Sequence, residues 1–415
     1  MGKYGIIGFG YAAINAVDRI RGLDPKGDIC VFEMAHGAVN PMLTTYYVAG
    51  KIDESRLTPF GSMDELAHKY GFRVIPERVS KLDVDTLTIN YGHGEERFEK
   101  ILVATGADPF VPHISGDEHL SERIFPMRTY EDAIRMRMYL GRHPIHDAVV
   151  LGASMVGIKI AELLAERDVE VTIADLADRM FATAADKKTS SILQDMIAAK
   201  GICSRFGVSV RSISEDGIVL SDGTFIKSDI LCVCIGTRPR IEIARGVLNT
   251  NKAIVVNDRM ETSASCVYAG GDCCEALNLC TGETGIVGLW ANAAAQGQTA
   301  GENMAGGDAA FGGSLPSNIT HFMGIDFVGI GFPNQDDTAE TIKTDTGYFR
   351  FGVLNEAPAV NMIGEPTLSG VVKNIAATKL RKPNASVSLF SRSKLMNHLN
   401  RLEIDRITGG NDAEK

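Results

Sequence analysis

Apolar residues in this chain follow two rhythms that alternate along its length. Tyr4-Gly5-Ile6-Ile7 and Ala148-Val149-Val150-Leu151 are short continuous apolar runs of the kind that form buried strands. Each leads into a glycine-rich turn and then a stretch with helical spacing, Ile14 to Ile20 after the first and Ile158 to Leu164 after the second. Each helix is followed by another strand, Cys30-Val31-Phe32-Glu33 and Val171 to Asp175. Phe72 to Ile75 and Leu87 to Gly92 alternate as half-exposed antiparallel strands do, and Ile101 to Pro109 reads as one buried strand ending in a turn. A helix over Tyr130 to Leu140 opens a second unit that repeats this order and closes on Asp229 to Pro239, so the spacing predicts an internal duplication. Ser265 to Asp272 then predicts a strand delivering an acid at its carboxyl end, and Leu289 to Met304 a helix. A glycine-rich linker from Gly306 to Gly313 precedes strands at Asp326 to Gly331 and Tyr348 to Leu354, predicted to belong to a small α+β domain. The last few residues read as disordered.

The two turns carry the first chemical signal. They read Gly8-Phe9-Gly10-Tyr11-Ala12-Ala13 and Gly152-Ala153-Ser154-Met155-Val156-Gly157. Glycine lets the backbone approach a pyrophosphate, whose charge then rests on the free N–H groups and dipole of the helix start. An acid at the end of the next strand accepts hydrogen bonds from a ribose, and Glu33 and Asp175 stand at roughly the expected ~20-residue offset. Either turn alone is as well explained by tight packing; two copies, each with its acid, point to two dinucleotide sites. Asp272, after Gly270-Gly271, suits close approach of a ligand hydroxyl, although an Asp there also serves as a cap.

Composition narrows the class. A chain of 415 residues with 45% hydrophobic content is long enough for two to three domains with cores, and mean hydropathy near zero fits a globular protein. The formal charge of −10 disfavours nucleic acid, whose phosphates call for a basic surface. No apolar run reaches the ~18 residues of a membrane span, and the N-terminal run holds a glycine fingerprint instead of a cleavage site, so a cytoplasmic protein without membrane insertion is expected. The eight cysteines, Cys30, Cys203, Cys232, Cys234, Cys266, Cys273, Cys274 and Cys280, form no C-x-x-C and lack zinc or ferredoxin spacing. Buried free thiols are the expectation, with a cluster or redox pair assembled by the fold as the alternative. No metal site is expected.

The ordered set Gly8/Gly10/Ala13, Glu33, Thr105-Gly106, Gly152/Ser154/Gly157, Asp175, Gly236 and Gly271-Asp272 resembles the pyridine-nucleotide disulfide oxidoreductase superfamily over almost the whole chain. The resemblance implies an α/β fold of two Rossmann-like domains, like glutathione reductase, with a small α+β C-terminal interface domain. The implied boundaries are 1–118 and 243–310 for a discontinuous FAD domain, 119–242 for an NAD domain and 311–415 for the last. It implies FAD contacts from the first fingerprint, including Tyr11 and Ala12, and from Val79, Thr105 and Gly106. Glu33 would hold the adenosine ribose, Asp272 the ribityl chain or flavin phosphates, and the helix starting near Trp290 would point at the flavin's pyrimidine edge. NAD contacts would come from Gly152, Ser154, Met155, Val156, Gly157 and Gly236, with Asp175 binding the 2′-hydroxyl and repelling the extra phosphate of NADP. Lys51 and Arg128 are candidates for flavin or phosphate contacts, or equally solvated surface cations.

Relatives that reduce disulfides carry a redox cysteine where this chain reads Pro41-Met42-Leu43-Thr44-Thr45-Tyr46-Tyr47, and a C-terminal His-Pro with a following Glu, whereas His398 and Glu403 here lack that context and read as surface residues. The chain is instead similar to the non-thiol branch of rubredoxin and ferredoxin reductases. Within it, the chain resembles the FAD subunits of multisubunit anaerobic enzymes such as NADH-dependent phenylglyoxylate dehydrogenase or tungsten aldehyde oxidoreductase. The implied activity is two-electron to one-electron conversion between NAD(H) and an iron-sulfur partner, with no catalytic side chain. Two departures stand out. Ser154 replaces the second glycine of its fingerprint, and Lys159 stands where relatives commonly have a Glu near the nicotinamide, which is expected to alter the electrostatics there. A freestanding NADH:rubredoxin or ferredoxin reductase and a structural FAD subunit without turnover are the competing readings.

Overall fold

The two apolar strand runs become the central strands of two parallel sheets. The computed structural model describes residues 2–34, 37–331, 339–344, 347–354, 357–364 and 366–381; His398 and Glu403 lie outside them. In the first sheet Lys3–Ile7 lies between Asp28–Phe32 and Lys100–Val103, with Arg73–Ile75 and Val267–Ala269 at the edges. In the second, Asp147–Leu151 lies between Glu170–Asp175 and Ile230–Val233, flanked by Cys203–Phe206 and Ile124–Pro126. Both faces of these strands are covered, so Ile6, Val31, Leu102, Val149 and Leu231 are fully buried and the sequence shows unbroken apolar runs. Each unit adds a three-stranded antiparallel sheet, Val79–Asp83 with Thr88–Tyr91 and Gly94–Arg97, and Val210–Ile213 with Gly217–Leu220 and Phe225–Lys227.

The runs read as single strands over 101–109 and 229–239 are each two elements. Gly106 (φ +69°) and Gly236 (φ +106°) turn the chain off the carboxyl edges of the two sheets. The pieces beyond them, Ala107–Pro109 and Thr237–Pro239, pair antiparallel as a ribbon joining the two units. Likewise the strand read over 265–272 spans only Val267–Ala269, because Gly270 and Gly271 carry Asp272 away from the sheet.

The C-terminal sheet is antiparallel, in the order Ser317–Phe322, Ile325–Ile330, Ala357–Ile363, Tyr348–Leu354, Glu340–Lys343. Val328, Phe349, Val360 and Met362 pack on the Ser369–Arg381 helix through Leu368, Val372 and Ala376. Phe322, Phe327 and Ile363 pack against Phe181 and Ala184 of the second unit, where Arg350 also pairs with buried Asp186 at 3.2 Å. Among the described residues no helix is long and apolar enough to cross a membrane.

Candidate functional site

The first fingerprint sits at the carboxyl edge of the first sheet. Gly8 has φ +87°, and a Cβ there would lie 2.5 Å from the Ala104 carbonyl oxygen, so only glycine lets the turn pass beside the 100–103 strand. Gly10 faces open space. The Tyr11–Leu23 helix begins with neither a side-chain cap nor an acid in its first turn, leaving its first N–H groups for an anion.

A second helix N-terminus stands beside it. A Cβ on Gly297 would meet the Ala12 carbonyl oxygen at 2.0 Å and one on Gly301 that of Ala16 at 2.5 Å, so the Trp290–Met304 helix runs parallel to Tyr11–Leu23 at backbone contact. Both positive dipole ends therefore face the same edge, and the 290 helix, also without a side-chain cap, projects roughly 10 Å past the level of Ala12 at 1.5 Å per residue. Gln296 fixes the neighbouring turn by accepting from the Gly271 amide at 2.8 Å.

Glu33 closes the turn from the next strand: one carboxylate oxygen accepts from the Phe9 amide at 2.7 Å and the other from Met34 at 2.8 Å. Asp272 and Arg128 are brought together as an ion pair, and the Arg128 guanidinium also donates to the Ala107 carbonyl at 2.8 Å. The sequence presented Arg128 as a possible surface cation, but its side chain is only 21% exposed and faces the cleft acid. The Thr105 hydroxyl donates to the Arg240 carbonyl at 2.6 Å, fastening the turn after the 100–103 strand. Val79 pairs with Tyr91 in the small sheet and packs against the core of the first unit. Cradle, dipoles and acids together fit a dinucleotide with an anionic pyrophosphate and a ribose.

The second site repeats this plan with one change. Gly152 (φ +107°) would clash with the Cys234 carbonyl through any Cβ, at 2.4 Å, and Gly157 with that of Gly152, at 1.9 Å. Asp175 accepts from the amides of Ala153 at 2.6 Å and Ala177 at 2.8 Å, as Glu33 does in the first unit. Ser154 caps the Met155–Ala165 helix: its hydroxyl donates to the Cys234 carbonyl at 2.8 Å and accepts from the Gly157 amide at 3.2 Å. The added side chain thus points into the protein, and Met155 and Val156 supply the helix-start amides that remain for phosphate.

Lys159 is 8% exposed, and its ammonium pairs with buried Glu162, donates to the His321 carbonyl at 2.8 Å and lies 5.0 Å from the Tyr46 ring centre. Glu162 in turn accepts from the Met323 amide at 2.5 Å. The pair straps the second unit to the C-terminal hairpin, so the charge expected at the nicotinamide is neutralised within the protein. Lys51 is drawn to Glu166 at 2.8 Å, on the far end of the same helix. These side chains border a cavity of about 500 Å³ shared with Tyr46, Lys200 and Gly324.

Two thiols sit behind the Gly270-Gly271 turn, Cys273 donating to the Gly270 carbonyl and Cys274 to that of Gly271, each at 3.3 Å. Cys273 and Cys274 are buried, and burial pushes both thiols up. Cys203 and Cys266, the two that solvent reaches, lie at the amino ends of their strands, opposite the cofactor edge. Sequence reasoning missed Gln296, whose glutamine in a helix carries no local signal, and Phe60, whose ring stacks on Tyr11 at 5.0 Å from a distant loop.

Residues 2–297 match the family described as pyridine nucleotide-disulphide oxidoreductase. Among curated proteins, the chain is 29% identical over 350 residues to the NADH-dependent phenylglyoxylate dehydrogenase subunit epsilon of Aromatoleum evansii, covering 82% of each chain. It is 27% identical to an NAD(P)H coenzyme A polysulfide/persulfide reductase of Pyrococcus horikoshii, over 84% of this chain and 80% of that one. Among solved structures, the putidaredoxin reductase in a covalent complex with putidaredoxin superposes with a TM-score of 0.84 at 20% identity, over 97% of this chain and 98% of that one.

Proposed function

The chain belongs to the pyridine nucleotide-disulphide oxidoreductase family, and from that premise we propose that it is an FAD-dependent NAD(H):acceptor oxidoreductase that serves an iron-sulfur partner as the flavin subunit of a larger complex. The observation that carries this reading is the pair of glycine cradles, each closed by an acid, in a chain whose accessible thiols lie away from both. FAD would supply the conversion between the two electrons of a nicotinamide and the single electrons of an iron-sulfur centre.

The protein's part is to bind and orient. Gly8 lets the turn pass close to the sheet, and Gly10, Tyr11, Ala12 and Ala13 present helix-start backbone to the FAD pyrophosphate; Glu33 takes the adenosine ribose, and Val79, Thr105 and Gly106 line its path. Gly271 and Asp272, with Arg128 balancing the acid's charge, face the ribityl chain, and the helix start at Trp290 offers positive charge to the flavin's pyrimidine edge. In the second unit Gly152, Ser154, Met155, Val156, Gly157 and Gly236 receive NAD. Asp175 accepts from its 2′-hydroxyl and repels a 2′-phosphate. Lys51, paired with Glu166 at the surface, is the second cation proposed for a flavin or phosphate contact.

Similarity to a subunit of an NADH-dependent dehydrogenase supports the multisubunit form. Isolation of the native protein without oxygen, with iron counted per flavin, tests it. Co-purifying iron-sulfur subunits are expected. A chain that comes away alone and rapidly reduces added rubredoxin or ferredoxin would establish the freestanding reductase instead.

A further inference from the structure

The chain's single tryptophan occupies a singular place. Trp290 is the first residue of one of the two parallel helices and Tyr11 the first of the other, and their rings stack at 4.6 Å with 28° between planes. Phe60 stacks on Tyr11 at 5.0 Å and 19° and also lies 5.6 Å from Trp290, so the three rings form one triangular cluster. Three rings from three separated segments thus close over the mouth between the two helix starts. Phosphate recognition there uses backbone amides and asks nothing of the side chain at position 11.

The roof is held in place. Phe60 precedes Gly61, which adopts φ +110°, and Ser62, which caps the Met63–Tyr70 helix through a reciprocal pair with Glu65. The start of this loop is fastened by the Asn40 amide, which donates to the Leu57 carbonyl at 2.9 Å. Phe60 itself is 38% exposed, so its ring meets solvent, while Tyr11 and Trp290 are half-buried.

We propose that Tyr11, Trp290 and Phe60 form an aromatic roof over the flavin cleft that keeps small oxidants from the reduced cofactor and leaves electron exit to a protein acceptor docked outside it. This rests on the FAD-dependent reading above and deepens it by assigning the choice of acceptor to named side chains. An open cleft would permit the side reaction NADH + H⁺ + O₂ → NAD⁺ + H₂O₂, in which nicotinamide is oxidised and dioxygen reduced; the roof suppresses it.

The test uses the full-length protein and has two readouts. In the first, apoprotein is titrated with FAD while the emission of Trp290 is followed. Strong quenching that saturates at one FAD is expected, and unchanged emission despite FAD binding would overturn the placement of the roof. In the second, NADH-dependent peroxide formation in air is compared for wild type, Phe60→Ala and Phe60→Tyr. Phe60→Ala is expected to raise it by roughly tenfold, as loss of shielding from side reactions predicts. Phe60→Tyr keeps a ring and is expected to match wild type, and anaerobic bleaching of the flavin by NADH is expected to be the same in all three. Equal peroxide formation by Phe60→Ala and wild type, with bleaching intact, would overturn the proposal. Absence of bleaching in wild type would instead overturn the oxidoreductase reading, while the tryptophan titration still reports on the roof.

Discussion

Replacing Lys159 by Met removes one half of a buried ion pair and, among the described residues, leaves Glu162 with the Met323 amide as its partner. Two unit charges about 4 Å apart at an effective dielectric near 20 attract by about 4 kcal/mol, and breaking a buried pair by removing one partner costs about 3–5 kcal/mol. Lys159 also gives up its bond to the His321 carbonyl, so the loss should fall at the seam between the second unit and the C-terminal sheet. We expect Lys159→Met to destabilise the protein by about 3 kcal/mol, and Lys159→Met with Glu162→Leu to recover much of it, because the double variant buries no lone charge. Lys159→Glu should be worse than Met, since it sets two carboxylates against each other. Equilibrium urea unfolding of wild type, Lys159→Met, Glu162→Leu and the double variant, followed by far-ultraviolet circular dichroism, gives the double-mutant cycle. Binding of NADH by the double variant should stay within a few-fold of wild type, since, like the native ion pair, it presents no net charge to the cleft. A Lys159→Met variant within about 0.5 kcal/mol of wild type, the ordinary range for surface substitutions, would refute the strap. Intact stability with lost NADH binding would return Lys159 to the nicotinamide site.

Other perturbations probe separate parts of the account. Gly297→Ala places a methyl 2.0 Å from the Ala12 carbonyl and must push the two helices apart; purified protein should carry markedly less FAD, with overpacking costing about 1–3 kcal/mol in thermal unfolding. Iodoacetamide should modify Cys203 and Cys266 in the folded protein and spare the six buried thiols, as peptide mass mapping can check, without loss of flavin reduction by NADH. Cys266 should react faster, because hydrogen bonds from Ser265 and Lys100 outweigh partial burial and hold its thiol below the ordinary value. The Asp24 carboxyl is held below the ordinary carboxylate value, first by the Gly2 amide and then by the Tyr4 hydroxyl, against the opposing effect of burial. A lowered folded-state value stabilises above the unfolded pKa of about 3.9 and is lost as pH falls through the folded value. Asp24→Asn should therefore melt earlier than wild type at pH 7, and the gap should close in strong acid; a gap independent of pH would contradict the assignment.

The parallel sheets and both cradles were legible because their signals are local: a buried strand is an unbroken apolar run, and a turn against a neighbouring carbonyl admits only glycine. The splitting of the 101–109 and 229–239 runs was not legible, since the antiparallel ribbon that claims Ala107–Pro109 and Thr237–Pro239 is a pairing between segments more than a hundred residues apart. The same limit hid the partners of single side chains. Nothing beside Arg128 in sequence announces Asp272, and nothing beside Lys159 announces the His321 carbonyl, although its partner Glu162 stands one helical turn away. Phe60 looked like any loop aromatic because its stack with Tyr11 and Trp290 exists only once the two helices pack in parallel.

The central claim is that this chain binds FAD in its first cradle and reduces it with NADH bound in its second. Anaerobic titration of the FAD-loaded protein with NADH, and separately with NADPH, while the visible flavin band is followed, tests that claim most directly. The account predicts rapid bleaching by NADH and little by NADPH, because Asp175 meets the extra phosphate. Bound FAD that NADH leaves oxidised would contradict it and make the flavin a structural group.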